Sequence, residues 1–132
     1  MAETKYGEYI TREPIKDGRF APSVSYIGSD EAGLKLTVHY ITEPFQMIEE
    51  AHKHDDVQFL CFYGGNPANV KDFEAEVEIW LGEEGEKHTI NTPAVVYIPK
   101  GLIHCPLNFK RVDKPIVFSD ILLAPLYYNK PI

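Results

Sequence analysis

The residues best suited to chemistry are two histidines separated by a single residue, in the stretch AHKHDDVQFLCFYGG. Side chains at positions i and i+2 of a β-strand point to the same face, so His52 and His54 can present two imidazoles side by side. Gln58 has the same parity, but in a straight strand it would lie roughly 13 Å beyond His54, at about 3.3 Å per residue. The chain must therefore bend if the three side chains are to share one ion, and the turn-tolerant pair Asp55-Asp56 can supply the bend.

A third histidine follows a turn in the stretch IPKGLIHCPLN. Pro99 and Gly101 frame the turn, and His104 comes directly after it, at the end of a hairpin-like connection. Neutral imidazoles and an amide oxygen form a set of ligands that suits one divalent transition metal, with positions left open for water or substrate. Taken singly, these residues have simpler interpretations. Histidines spaced by one residue are more often exposed, and Gln58 can instead be a core amide bonded to the backbone.

The elements that must position these residues have the period of β-strands. Residues 34–41, LKLTVHYI, and residues 73–80, FEAEVEIW, alternate between apolar and polar side chains, as strands with one buried face do. The runs VQFLCFY, AVVYIP and PIVFSDILL are apolar, β-branched or aromatic and are bounded by Gly, Pro or Asn, which is typical of buried strands. No window carries a helical stripe, so the pattern predicts an all-β sandwich or a small barrel.

Length, charge and cysteine content narrow the class of protein. The 132 residues fit one domain, and a composition of 44% hydrophobic and 25% charged residues argues against a disordered chain. The net charge of −7 argues against general nucleic-acid binding, although a pocket for a small anion can differ in sign from the whole molecule. No segment predicts a signal peptide or a membrane span. We therefore expect no membrane partner, a cytoplasmic location and two free thiols, Cys61 and Cys105.

The two histidine-containing stretches resemble the signature motifs of the cupin superfamily. The core of the first motif is His-x-His, three or four residues, Glu, six residues, Gly, and this chain has HKH, three residues, Gln58, six residues and Gly65. The core of the second motif is Pro-x-Gly, two residues, His, three residues, Asn. This chain has PKG, two residues, His104, three residues and Asn108, which matches that core at every fixed position.

The resemblance covers roughly residues 34–123 and implies a double-stranded β-helix, or jelly-roll barrel, in agreement with the strand pattern. It also implies one divalent transition-metal ion, with zinc, manganese, iron and nickel as the candidates. The leading glycine of each family motif is absent, at Gln46 and at Pro93, which concerns only the local turn geometry. By the resemblance the metal ligands are His52, His54, Gln58 and His104.

The departure with the greatest chemical consequence is Gln58, where the family motif has glutamate. A neutral amide leaves the full charge of a divalent ion at the site, which makes the ion a stronger Lewis acid and a better anchor for an anionic oxygen donor. It also disfavours higher oxidation states. Sites of this kind resemble those of lyases, isomerases and cyclases in the superfamily more than those of most oxygenases.

We therefore expect an enzyme that acts on a small oxygen-containing molecule by Lewis-acid chemistry of the lyase, isomerase or decarboxylase type. A metal-dependent dioxygenase is the first alternative, and a non-catalytic module that binds a metal or a small molecule is the second. The motifs contain no obvious second catalytic group, so the catalytic residue stays unknown, with Tyr40 and Glu50 as candidates. The side chains predicted to line the pocket are Leu36, Val38, Leu60, Phe62 and Asn108.

Strand parity and position assign the rest of the chain. Cys105 neighbours His104 and should face away from the pocket, and His39 should lie at the surface or at an interface. We divide the chain into an irregular N-terminal arm (1–33), a barrel (34–123) and a C-terminal tail (124–132) that packs on the barrel or on a partner subunit. The exposed arm and the aromatic tail predict a homodimer.

Overall fold

The structure is a computed structural model that describes residues 4–17, 22–28 and 33–123. Within these ranges the chain forms antiparallel strands and one short 3-10 helix, Gly7–Tyr9, so the predicted all-β fold is confirmed. The strands in chain order are β1 (Ile15–Asp17), β2 (Pro22–Ile27), β3 (Lys35–Ile41), β4 (Phe45–Ile48), β5 (Val57–Gly64), β6 (Ala75–Leu81), β7 (Glu86–Ile90), β8 (Ala94–Ile98), β9 (His104–Val112) and β10 (Ile116–Leu123).

The strands form two sheets that enclose one core. The first sheet has the strand order β1-β2-β3-β10-β5-β8, and the second has the order β4-β9-β6-β7. Neighbours in space such as β3 and β10 are distant in the chain, as in a jelly roll. Aromatic rings join the sheets across the core, where the ring centroid of Phe109 lies 6.4 Å from that of Phe62 and 5.7 Å from that of Phe118.

Alternation along β6 explains how the second sheet closes the core. Ala75, Val77 and Ile79 are fully buried on its inner face. Burying an aliphatic side chain of this kind stabilises the fold by about 1.5–3 kcal/mol. The glutamates between them belong to the outer face, where Glu78 forms an ion pair with Lys87 at 3.4 Å. The predicted alternation of FEAEVEIW is therefore present in the structure.

The face of β3 that points into the barrel is the opposite of the one that its sequence predicts. The register with β10 places His39 opposite Phe118, and the two rings stack inside the barrel with centroids 5.6 Å apart. The side chains of alternate parity, Leu36, Val38 and Tyr40, consequently belong to the outer face, and Tyr40 is 45% exposed. The predictions that Leu36 and Val38 line the pocket and that His39 faces outward are therefore wrong, because a polar cavity lies beside β3.

Part of the predicted irregular arm belongs to the six-stranded sheet. β2 pairs with β3 from Ser23↔His39 to Ile27↔Lys35, and β1 pairs with β2. The sequence PSVSYI alternates serines with β-branched and aromatic side chains, which favours a strand. None of the helical segments in the described ranges is long and apolar enough to cross a membrane. The predicted tail, residues 124–132, lies outside the described residues, and the homodimer stays a prediction.

Candidate metal centre

An isolated backbone bridge places the first two histidines beside the third. The His52 N–H donates to the His104 carbonyl over 3.0 Å, and the His104 N–H donates to the His52 carbonyl over 2.9 Å. The turn before β9 is tied to the same segment, because the Gly101 N–H donates to the His54 carbonyl over 2.8 Å. Gly101 has a φ of 78°, a conformation that suits glycine. Backbone hydrogen bonds therefore join the two motifs.

Three imidazoles meet at this end of the barrel. The ring centroids are 4.8 Å apart for His52 and His54, 4.4 Å for His52 and His104, and 5.2 Å for His54 and His104. The predicted bend before Gln58 is also present, since the chain bends at residues 55–56 before β5 begins. The structure thus brings the three histidines together from two distant parts of the sequence.

Backbone carbonyls orient two of the imidazole rings. His104 Nδ1 lies 2.9 Å from the Leu102 carbonyl oxygen, and His52 Nδ1 lies 3.2 Å from the Glu50 carbonyl oxygen. A ring that donates from Nδ1 keeps the lone pair of Nε2 free for a metal ion. Within the described part of the chain, His104 Nε2 is buried and has no hydrogen-bond partner. Glu50 contributes a carbonyl to this arrangement, and the catalytic role of its exposed side chain stays a prediction.

The side-chain amide of Gln58 is oriented by a carboxylate. Gln58 is 7% exposed, and its Nε2 donates to Asp120 Oδ1 over 2.6 Å. This bond turns Oε1 the other way, and Oε1 is buried without a hydrogen-bond partner among the described residues. An amide in this orientation presents its oxygen, the atom that binds a metal ion. The structure therefore leaves the amide oxygen of Gln58 available to a ligand and gives the other end of the amide a fixed partner.

Asp120 is a site residue that the sequence analysis missed. It lies on β10 between Leu60 of β5 and Thr37 of β3. Burial lowers the pKa of His54 and of His104, and the negative charge of Asp120 partly opposes that shift. The signal in the sequence was an acidic residue inside the apolar run PIVFSDILL. Because its oxygen accepts a hydrogen bond from Gln58, a negative charge lies one bond away from the neutral amide. Asp120 therefore supplies negative charge near the site, although Gln58 itself is neutral.

The Cys105 side chain faces the interior of the barrel beside the imidazoles, which contradicts the prediction that it points away from the pocket. Its Sγ and one ring nitrogen each from His52 and His104 all lie within 4.8 Å of one another. Two backbone features explain this: Cys105 has a φ of 81°, and the register of β9 against β6 shifts between Ile79 and Leu81. Such an extra residue interrupts the alternation of faces. Burial raises the pKa of the Cys105 thiol to about 12, so it is protonated at neutral pH unless a metal binds it.

Two hollows adjoin the imidazoles, and both are lined by His52, Gln58 and Asp120. The larger has a volume of about 320 Å³, and its other lining residues are Lys35, Thr37, His54 and Leu122. The smaller has a volume of about 60 Å³ and is otherwise lined by Met47, Ile48, Leu60, His104, Cys105, Leu107 and Phe118. The larger hollow is therefore lined mainly by polar side chains and the smaller one mainly by apolar side chains, and the two meet at the candidate ligands.

The other predicted lining residues lie elsewhere. Leu60 does line the smaller hollow, but Phe62 is fully buried in the aromatic core, with its ring centroid 5.0 Å from that of Phe118. Asn108 donates from its side chain to Glu78 Oε1 over 3.1 Å on the outer side of the second sheet. The prediction that Asn108 lines the pocket is therefore wrong, because its neighbour Leu107 takes the inward position on β9.

Burial keeps two of the imidazoles neutral. It is the main cause that lowers the pKa of His54, and the neighbouring His52 lowers that pKa further. Burial also lowers the pKa of His104, although the hydrogen bond to the Leu102 carbonyl opposes this shift. Neutral imidazole is the form that binds a metal ion. The fold therefore holds these side chains in the protonation state that a metal site requires.

Comparisons with known proteins give matches in structure only. No protein-family model matches the sequence, and no curated protein matches it. The Schizosaccharomyces pombe Cnp3 cupin domain is 9% identical, with a TM-score of 0.55 over 82% of this chain and 63% of that chain. The hydroxypropylphosphonic acid epoxidase from S. wedmorenis is 13% identical, with a TM-score of 0.56 over 83% of this chain and 54% of that one. KdgF from Halomonas sp. is 14% identical, with a TM-score of 0.53 over 83% and 84%.

These likenesses concern the fold. Identities of 9–14% carry no information about substrate, and the chain spans 63% of the Cnp3 domain and 54% of the epoxidase. The chain has the cupin fold, and the barrel predicted from the two motifs is confirmed.

Proposed function

We propose that this cupin-fold protein binds one divalent transition-metal ion through His52, His54, Gln58 and His104 and acts on a small oxygen-containing organic molecule. The observation that carries the proposal is a pair of buried acceptors without partners among the described residues, His104 Nε2 and Gln58 Oε1. Each buried unsatisfied group costs about 1–3 kcal/mol, and a cation bound by both atoms removes both penalties. Imidazole nitrogens and an amide oxygen suit zinc, manganese, iron or nickel.

When bound, the ion supplies Lewis-acid stabilisation of negative charge that develops on a substrate oxygen. The chain itself supplies a group for proton transfer, since the Asp120 side chain lines both hollows beside Gln58. A carboxylate there can take a proton from one atom of a substrate and return it to another, as isomerases and lyases require. The apolar wall around Leu60 and Phe118 restricts water on the opposite side. These features favour an enzyme of the lyase or isomerase type.

An oxygen-dependent reaction is the second candidate. The S. wedmorenis epoxidase shares the fold, and imidazole ligands also bind iron. The neutral amide of Gln58 argues against it, because higher oxidation states of a metal need negative ligands. A metal-binding module without turnover accounts for the imidazoles and for Asp120 as the partner of Gln58, but it gives no role to the two hollows that this carboxylate also lines. We therefore rank Lewis-acid catalysis first.

Metal content tests the proposal directly. The protein is purified without a chelator, incubated separately with zinc, manganese, iron(II) and nickel, and its metal content is measured by mass spectrometry. We expect about one ion per chain, as in a mononuclear site, and its loss in a His52→Ala/His104→Ala double variant. His88→Ala is the matched control, because His88 is exposed and pairs with Glu86 away from the cavity. This control should keep the ion.

Two outcomes contradict the proposal. Protein that takes up none of these ions at neutral pH has no such site. An ion that survives the His52→Ala/His104→Ala change but is lost on Cys105→Ser is held by a different set of ligands. If the ion is present, turnover of candidate substrates by Asp120→Asn then separates catalysis from simple binding, since this variant should retain the metal and lose the reaction.

A further inference from the structure

A lysine lies on the inner face of β3, in the wall of the larger hollow. The register with β10 pairs Lys35 with Leu122 and Thr37 with Asp120, so these side chains share the inward face. All four line the hollow with the candidate ligands, and Lys35 is half-buried. Lysine is rare on the inside of a barrel, because its charged group loses hydration there.

Lys35 has no carboxylate partner in the part of the chain that the structure describes. The ion pairs there involve other cationic side chains, and none joins Lys35 to Asp120 within 4.0 Å. Asp120 instead accepts the hydrogen bond of Gln58. A half-buried lysine without a carboxylate partner in the wall of a cavity provides an attachment point for a ligand anion.

The charges around the hollow favour an anion even though the whole chain carries −7. Lys35 and Asp120 contribute opposite unit charges to its lining. Imidazoles that bind a metal are neutral, and Gln58 carries no charge. A divalent ion at the proposed site therefore leaves the hollow with a net positive charge, concentrated at the ion and at Lys35. Low-dielectric walls strengthen the attraction of such a site for an anion.

We infer that the pocket binds a small organic carboxylate that carries a second oxygen donor, with the carboxylate at Lys35 and the other oxygen at the metal site. This rests on the proposed metal site and names its substrate class. The volume of about 320 Å³ lies at the lower end of small-molecule sites, so a short acid fits and a polymer does not. The hollow of about 60 Å³ has room for roughly two water molecules, hence for a short alkyl substituent.

Anion titration of the cobalt(II)-loaded protein tests the inference. Cobalt(II) replaces the native ion and reports ligand binding through its visible absorption, so the readout is binding and not turnover. The test ligands are acetate, malonate, succinate and the neutral diamide of malonate. We expect malonate or succinate to bind roughly tenfold more tightly than acetate, and the diamide to bind least, because only a dianion engages both charged points.

Three lysine variants measure how much the charge of Lys35 contributes to the binding of the dianion. Lys35→Met should weaken the binding of the preferred dianion by roughly tenfold and leave cobalt uptake unchanged, whereas Lys35→Arg should retain most of the affinity. Lys53→Met is the matched control, because it removes the same charge from an exposed residue beside the histidines that does not line the hollow. It should bind the dianion as the unmodified protein does.

The outcomes separate this inference from the proposed function. Cobalt uptake with equal dianion affinity in the unmodified protein, Lys35→Met and Lys53→Met overturns the role of Lys35 and leaves the metal site intact. Equal affinity for acetate and for both dianions overturns the substrate class. Absence of cobalt uptake by the unmodified protein overturns the metal site, and the inference with it.

Discussion

The two halves of the barrel interior are built on the same strands and have opposite chemistry. β5 carries Gln58 at the cavity and Phe62 in the core, and β10 carries Asp120 at the cavity and Phe118 in the core. In the core half, apolar rings contact one another and almost no surface is exposed. In the cavity half, buried polar atoms lack hydrogen-bond partners among the residues that the structure describes.

The difference teaches that stability and function are divided along each strand. The aromatic half is close-packed and fixes the register of the strands. That register then holds the polar side chains of the other half in an arrangement that they would not adopt for their own stability, since unsatisfied acceptors are costly. Mutations in the two halves should therefore affect different measured quantities.

The largest effect should come from the core half. Phe62→Ala should lower the free energy of unfolding by about 3–5 kcal/mol, because it leaves a cavity between Phe109 and Phe118. Metal affinity of the molecules that stay folded should change little. Urea unfolding of the metal-free protein measures the first quantity, and metal titration measures the second. Phe59→Ala, a partly buried ring on the outer face of the same strand, is the control and should cost much less.

The next effect should come from the cavity half and show the reverse pattern. Asp120→Ala frees the amide of Gln58 and should weaken metal binding by roughly 10–100-fold, as loss of a partner behind a ligand does. The free energy of unfolding of the metal-free protein should fall by at most about 1–3 kcal/mol, less than for Phe62→Ala, because the buried Gln58 amide loses its acceptor. Competition with a chelator of known affinity measures the loss. Asp120→Asn keeps an acceptor oxygen for Gln58 and should lose less, so equal losses in the two variants would refute the positioning role.

The smallest effect is a pH dependence of the metal-free protein. The fold lowers the pKa of His54 and of His104 below 6.5, so below that pH the unfolded chain binds protons that the folded chain does not. The free energy of unfolding should therefore fall as pH decreases from about 6.5 toward the lowered values. Urea unfolding across this range, in the unmodified protein and in His54→Gln/His104→Gln, measures the slope. The slope should flatten in the variant, and an unchanged slope would assign the effect to other groups.

Local patterns predicted the fold and the histidine cluster. The alternation on β6 and the apolar run of β5 each define a buried face within a few residues. The spacing of residues within the two motifs predicted the histidine cluster, because the turn at Gly101 and the bend at residues 55–56 are determined by nearby residues. Features of this kind depend on short stretches, so the sequence alone was enough to predict them.

The errors lie where distant strands decide the outcome. The inward face of β3 is set by its register with β10 and by the cavity there, and the apolar residues of its own pattern indicated the wrong face. Cys105 faces inward because β9 carries an extra residue against β6. Asp120 was missed because only the pairing of β10 with β5 brings it to Gln58. No local pattern contains that information.

The hydrogen bond between Gln58 and Asp120 also restricts how this protein can diverge. Glutamate at position 58, as in the family motif, would place a second carboxylate where the amide now lies 2.6 Å from Asp120. Two carboxylates that close cannot both ionise, so one of them must hold a proton. Exchange of the amide for an acid would therefore add a proton to this pair unless Asp120 were replaced as well. Positions 58 and 120 are therefore chemically coupled, because the residue at one of them sets the protonation state that the other can hold.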